Sequence, residues 1–303
     1  MKDRLLSAII TAAQKTPFRG RGGYSSLPVD RQKTATPEDK AEVEAKDVER
    51  FFRFFPSRPV RQEIAGKAIL DFGSGYGGRT VEYVNTCGAL RASGVEPFQT
   101  HIDAGATLAS KRGLSDRVDF RLCTQNHIPY DGESFDAAIT FDVLEHVEDP
   151  RVSLKELHRV LKPDALLYAV FPVYRGAISH HLDYLTTVPA LHLIFSPGRI
   201  VRVANRCLDA RPDIIVDRHH SPSSHFITSK PILPTLNGMG LMDFKSAIAG
   251  WDVESLTLNS ILDIALGRRS LVARAARFLT KAPPFFAEPL IFNVAAILRK
   301  RSA

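Results

Sequence analysis

The sequence predicts an α/β fold built on a parallel sheet, and three observations carry that prediction. Between residues 67 and 172, short apolar runs alternate with helical patterns, as βα units do. The first run, Ala68 to Phe72, breaks sharply into Gly73, Gly75, Gly77 and Gly78 before a helix can start. The second run ends in Glu96, about 20 residues beyond the glycines, where an acidic side chain at a strand end meets the two hydroxyls of a ribose.

The elements follow in order. Residues 1–14 start with a basic residue and an apolar stretch, as a signal peptide would. Asp3 and the lack of a small-residue cleavage site favour an amphipathic helix instead. Residues 16–37 carry Gly, Pro, Ser and Arg without apolar period and read as a loop or arm. Pro37-Glu38-Asp39 is a helix start, and Ala41, Ala45, Val48, Phe52 and Phe55 continue at helical spacing to Pro56. Phe51, Phe52, Phe54 and Phe55 need cover, so this helix is expected to pack on the core and not to serve as an aromatic platform for nucleic acid. Beyond the glycines the pattern gives helix 79–88, strand 92–96, helix 98–112, strand 118–122, a turn over 123–130, strand 135–141, helix 150–161 and strand 165–171. Such a sheet presents ligand sites at the carboxyl ends of its strands. Residues 250–258 and 290–298 read as a sixth strand and its antiparallel partner.

At 303 residues and 44% hydrophobic content the chain can bury a sizeable core. Cys87, Cys123 and Cys207 form no metal-binding spacing, which makes a reducing, cytoplasmic setting the expectation and implies no structural zinc. No run reaches the roughly 18 apolar residues of a spanning helix. The net charge of +7 is uneven: residues 67–172 are acidic, whereas 268–303 hold eight basic residues and one acidic. Basic ends around an acidic centre admit an anionic partner, although solvated faces account for most such asymmetries.

The glycine turn alone is ambiguous. Gly73, Gly75 and Gly78 satisfy the dinucleotide pattern GxGxxG, while Gly73, Gly75 and Gly77 give the tighter GxGxG. Asp71, two residues before the first glycine, suits a cationic ligand such as an ammonium or sulfonium better than a pyrophosphate.

Three segments together carry a family likeness: ILDFGSG at 69–75 followed by Glu96, SFDAAITFDVLEHVEDP at 134–150, and RVLKPDALLYAVFP at 159–172. They resemble class I S-adenosylmethionine-dependent methyltransferases, in the small-molecule branch with the LEHVxDP signature. The resemblance implies a doubly wound, Rossmann-like sheet of seven strands, mostly parallel with the last antiparallel, plus a helical N-terminal extension and a lid insertion. It also implies that Gly73, Ser74 and Gly75 face the methionine portion of the cofactor, with Asp71 near its amino group and Glu96 on the ribose. Thr124 and Gln125 stand where an aspartate usually meets the adenine, and Phe141 closes the fourth strand beside them. Glu145 and His146, tempting as an acid/base pair, belong to the shared motif and read as the start of a helix. Enzymes that methylate nucleic-acid bases often show Asn or Asp followed by Pro-Pro-aromatic after the fourth strand. This chain has Phe141-Asp142-Val143-Leu144, which disfavours nucleic acid as the partner.

Residues 173–250 exceed what the minimal fold needs and read as a substrate lid. They hold six of the ten histidines: His180, His181, His192, His219, His220 and His225. Adjacent histidines seldom point at one ion, so His180-His181-x-Asp183 is not expected to bind metal. His180 or His181 is the candidate general base for an oxygen acceptor. In 268–281, Arg268, Arg269, Arg274, Arg277 and Lys281 alternate with apolar residues; a helix packed on the core is expected, with contact to an anionic membrane as the alternative. The organisation expected is therefore arm and helical extension 1–66, cofactor core 67–172, lid 173–250, and a closing strand pair with a basic insertion in 251–303. The function expected is methylation of a small-molecule acceptor, at oxygen. A cofactor-binding scaffold without turnover and a nicotinamide-dependent oxidoreductase are the competing readings.

Overall fold

The computed structural model of the protein describes residues 1–16, 35–124, 126–182, 185–211, 236–260, 262, 270–280 and 282–301. Gln125, Asp183, Tyr184, His219, His220, His225, Arg268, Arg269 and Lys281 lie outside the described residues, as does 17–34 of the expected arm. In chain order the elements begin with α1 (Lys2–Ala13), α2 (Pro37–Lys46), α3 (Val48–Phe52), α4 (Val60–Glu63), β1 (Ala68–Phe72) and α5 (Gly78–Asn85). There follow β2 (Arg91–Glu96), α6 (Gln99–Lys111), β3 (Val118–Leu122), β4 (Phe135–Phe141), α7 (Pro150–Val160) and β5 (Leu161–Phe171). The chain closes with α8 (Leu191–Ile194), α9 (Pro197–Asp209), α10 (Leu241–Ala247), β6 (Trp251–Ser260), α11 (Leu271–Leu279), α12 (Pro284–Ala287) and β7 (Ile291–Lys300).

These elements form two compact units. One comprises Ala35–Phe171, Phe244–Thr257 and Val294–Ala303; the other comprises Met1–Thr34, Pro172–Asp243 and Leu258–Asn293. The extension expected over 1–66 is thus shared out: its helices from residue 35 onward join the sheet, and α1 joins the unit that holds the segment after β5.

The sheet unit carries seven strands in the order β3-β2-β1-β4-β5-β7-β6. Neighbours β1–β2, β1–β4, β2–β3 and β4–β5 pair in parallel, and β7 runs antiparallel to β5, with Leu167 opposite Leu298. Strand order reverses between β1 and β4, which is where open α/β sheets leave a crevice at their carboxyl ends. All five residues of β1 are buried, as expected of a central parallel strand whose two faces are both covered.

Helix α2 begins where the sequence predicts, because Thr36 and Asp39 form a reciprocal capping box and Pro37 sits in the first turn. The single helix expected up to Phe55 is instead broken at Asp47, whose backbone (φ −100°, ψ 10°) leaves the helical region before α3 starts. That bend lets the phenylalanines reach different partners: Phe51 and Phe54 meet Phe141 at 5.6 Å between ring centres, and Phe55 meets Tyr168 at 6.0 Å. Phe51 and Phe55 are buried in the core, and Phe52 and Phe54 are half-buried beside it. After β4, residues 143–148 form turns; Glu145 and His146 do not start a helix, because Asp149 caps α7 through a 2.9 Å hydrogen bond from the Arg151 N–H.

In the second unit, α1 buries Leu6, Ile10 and Ala13, spaced as one helical stripe. Leu6 and Ile10 pack with Leu182, Leu185, Leu191, Phe195, Ile200 and Val203. Asp3 pairs with Arg199, Arg202 and Arg206 on α9, and its hydrogen bond with Arg199 leads the effects that pull its pKa down to about 2. In α11, Leu271, Val272, Phe278 and Leu279 are exposed and not buried in the core that the sequence pattern predicts for them.

Candidate functional site

The ends of β1 and β2 meet at the glycine turn. Asp71, buried near the end of β1, accepts a 2.6 Å hydrogen bond from the Thr80 hydroxyl of α5. Burial pushes its pKa up to about 6, opposed by the Arg79 guanidinium and the Thr80 bond. One carboxylate oxygen therefore ties strand end to helix start.

The main chain then turns under β2: the N–H groups of Gly73 and Ser74 both donate to Val95 O, at 3.0 and 3.1 Å. Gly73 has φ 76°, which favours glycine, and a Cβ there would lie 2.3 Å from Val143 Cγ2. Glu96 closes the turn from the end of β2. Its Oε2 accepts the Gly75 N–H at 3.2 Å, and its Oε1 lies 3.3 Å from His101 Nδ1. The His101 ring rests on Tyr76 at 4.0 Å between centres. The Ser74 hydroxyl is buried without a hydrogen-bond partner among the described residues, so the turn holds one polar group that a ligand can satisfy.

A second carboxylate, which the sequence reading missed, holds the far side of the turn. Glu44 of α2 accepts the Tyr76 N–H through Oε1 and the Gly78 N–H through Oε2, both at 3.2 Å. Burial raises its pKa, with Arg79 and the two main-chain donors acting against that. A Cβ at Gly78 would stand 1.9 Å from Ala41 O, so this glycine serves the close approach of α2 and not a ligand. The small residues Ala41 and Ala45 flanking Glu44 on one helix face were the available signal.

Of the other expected cofactor residues, Thr124 is exposed and paired through its backbone with His127. The Phe141 ring is almost fully covered: Phe51 and Phe54 pack on it, and the Arg50 and Arg79 guanidinium groups lie 5.3 and 5.4 Å from its centre. Glu145 is buried, and neither carboxyl oxygen has a hydrogen-bond partner among the described residues. Burial, followed by the Asp142 charge, holds its pKa well above the usual range.

The two histidines expected as bases differ. His180 is buried, with Nε2 donating to Val188 O and Nδ1 accepting the Leu182 N–H, both at 3.0 Å. Burial, then the neighbouring His192, lowers its pKa to about 4. With both ring nitrogens engaged by the main chain, it has no lone pair free to take a proton. His181 is half-buried and has φ 51°, an uncommon conformation for a residue with a side chain.

Residues 70–169 match the family profile described as a methyltransferase domain. The methyltransferase GfsG of Streptomyces halstedii is 26% identical over 190 residues, covering 60% of this chain and 68% of the relative. A ubiquinone biosynthesis O-methyltransferase of Bartonella tribocorum is 35% identical over 100 residues, covering 33% of this chain and only 39% of the relative. Among solved structures, the geranyl diphosphate C-methyltransferase of Streptomyces coelicolor A3(2) superposes with a TM-score of 0.50 at 15% identity, over 98% of each chain. At that identity the likeness is one of fold. The strand order with its antiparallel β7, the glycine turn closed by Glu96 and the matched profile agree: residues 70–169 carry a methyltransferase domain, with the sheet topology of class I S-adenosylmethionine-dependent enzymes.

Proposed function

We propose that the protein binds S-adenosylmethionine at the glycine turn and transfers its methyl group to an oxygen of a small-molecule acceptor. The observation that carries the reading is the junction of Glu96 and the Gly75 N–H at the ends of β1 and β2, beside the unpartnered Ser74 hydroxyl. A carboxylate at that point accepts from the vicinal hydroxyls of a ribose. Thr124, Gln125 and Phe141 are assigned to the adenine side, and Asp71, which also ties the turn to Thr80, to the amino group of the methionine portion.

When bound, the cofactor supplies a sulfonium-activated methyl group, and the protein's share is alignment, exclusion of water and removal of one proton. Glu96 and Glu44 fix the turn from two sides, so the ligand meets a backbone that is already ordered. Of the histidine pair, His181 is the candidate to accept the acceptor's proton, since His180 spends both nitrogens on the main chain. The named function of the Bartonella tribocorum relative supports transfer to oxygen.

Calorimetric titration with S-adenosylmethionine, S-adenosylhomocysteine and NAD tests the binding half. Micromolar affinity for the first two and none for NAD is expected, and Glu96→Ala should weaken binding by about 1.5 to 3 kcal/mol. NAD binding without any response to S-adenosylhomocysteine would sink the assignment. On an identified acceptor, His181→Ala should lower turnover by about 10²- to 10⁴-fold with unchanged cofactor affinity. A loss below tenfold returns His181 to a structural role.

A further inference from the structure

Helix α11 presents its apolar side outward. Leu271, Val272, Phe278 and Leu279 are between 53% and 77% exposed, and Phe286, just after the helix, is 68% exposed. At 100° per residue, Leu271, Val272, Ala275, Phe278 and Leu279 fall within about 120° of arc, and the exposed Arg274 borders it. An amphipathic surface helix ordinarily turns that stripe to the core. Along this stretch of sequence the charge is of one sign: residues 268–287 contain five basic residues and no acidic one.

We propose that α11 docks the protein, peripherally and reversibly, on an anionic lipid surface, with Leu271, Val272, Phe278, Leu279 and Phe286 entering the headgroup boundary and Arg274 among the basic residues meeting lipid phosphates. Apolar side chains on one arc with arginine at its border are what an interfacial helix needs. A second copy fits poorly. A two-fold contact would set the same basic stretch against itself. One face of the nine-residue helix, about 14 Å long and about 10 Å wide, projects only roughly 140 Å² and falls short of the roughly 800 Å² per partner of a stable protein interface. The inference rests on this surface alone and does not depend on the methyltransferase reading.

The test is co-sedimentation of the full chain with phosphatidylglycerol-containing vesicles and with pure phosphatidylcholine vesicles, at low salt and at about 0.5 M salt, where the screening length shrinks to a few ångströms. Wild type is expected to partition to the anionic vesicles at low salt and to be released by high salt. The exposed-site variants Leu271→Glu with Phe278→Glu, and separately Arg274→Glu, should each reduce partition tenfold or more while melting temperature and S-adenosylhomocysteine affinity stay at wild-type values. Equal partition of wild type and variants, or no preference for anionic over neutral vesicles, overturns the proposal. So does a dimer in sedimentation velocity that Leu271→Glu dissolves, which would make the face a contact between copies. The affinity measured in parallel separates this failure from a failure of the cofactor assignment.

Discussion

The N–H groups of Tyr76 and Gly78 stand at the start of α5, where a helix supplies them with no partner of its own, and Glu44 meets both. Truncating it leaves two buried donors unsatisfied, each worth about 1 to 3 kcal/mol. Glu44→Ala should therefore lower the denaturant midpoint by the equivalent of several kcal/mol and also weaken S-adenosylhomocysteine binding, because the turn loses its outer support. A variant that unfolds at the wild-type midpoint would show that the Glu44 bonds do not hold the turn. At Gly73, a valine would meet Val143 in a backbone conformation that side chains avoid. Its effect on binding therefore cannot be separated from its effect on folding, and Glu96→Ala, which removes a carboxylate without adding bulk, is the cleaner probe.

At the scale of elements, the short helix α3 secures the sheet unit through aromatic side chains. Phe51 is fully buried and touches the rings of Phe52, Phe55 and Phe141. Phe51→Ala should cost about 3 to 5 kcal/mol, read from urea melts of the folded chain, since the cavity forms among rings that collapse poorly. A loss under 1 kcal/mol would mean that this cluster tolerates repacking. Sequence periodicity makes these phenylalanines helical and in need of cover, but the break at Asp47 that sends them to separate partners is invisible to a 3.6-residue pattern. For α11 the pattern is equally clear and the outcome reversed. Amphipathicity gives the arc its apolar character, whereas the side to which the arc turns depends on what the rest of the chain leaves uncovered.

For the whole molecule, buried neutral histidines set an acid limit on stability. His180 and His192 both have pKa values lowered to about 4, by burial first. The unfolded chain takes up these protons near pH 6.5, whereas the folded protein resists until about pH 4. Their contribution is therefore complete above pH 6.5 and is lost as pH falls toward 4, at up to about 1.4 kcal/mol per pH unit for each group. The urea midpoint should drop between pH 7 and pH 5.5, and the drop should shrink in His180→Gln; a midpoint flat across that range would exclude buried neutral imidazoles. Among the described residues, no helix is long and apolar enough to cross a membrane. The sequence by itself determined the βα alternation, the glycine turn and the position of Glu96, because strand, turn and helix start are fixed by local sterics and by spacing along a single stretch of chain. Only the tertiary structure decided that Glu44 supports the turn, that Asp71 spends a carboxylate oxygen on Thr80, that His180 is a structural imidazole, and that α11 faces outward. Each of those outcomes depends on burial and on hydrogen-bond partners set by how the chain packs in three dimensions, and no local pattern encodes it.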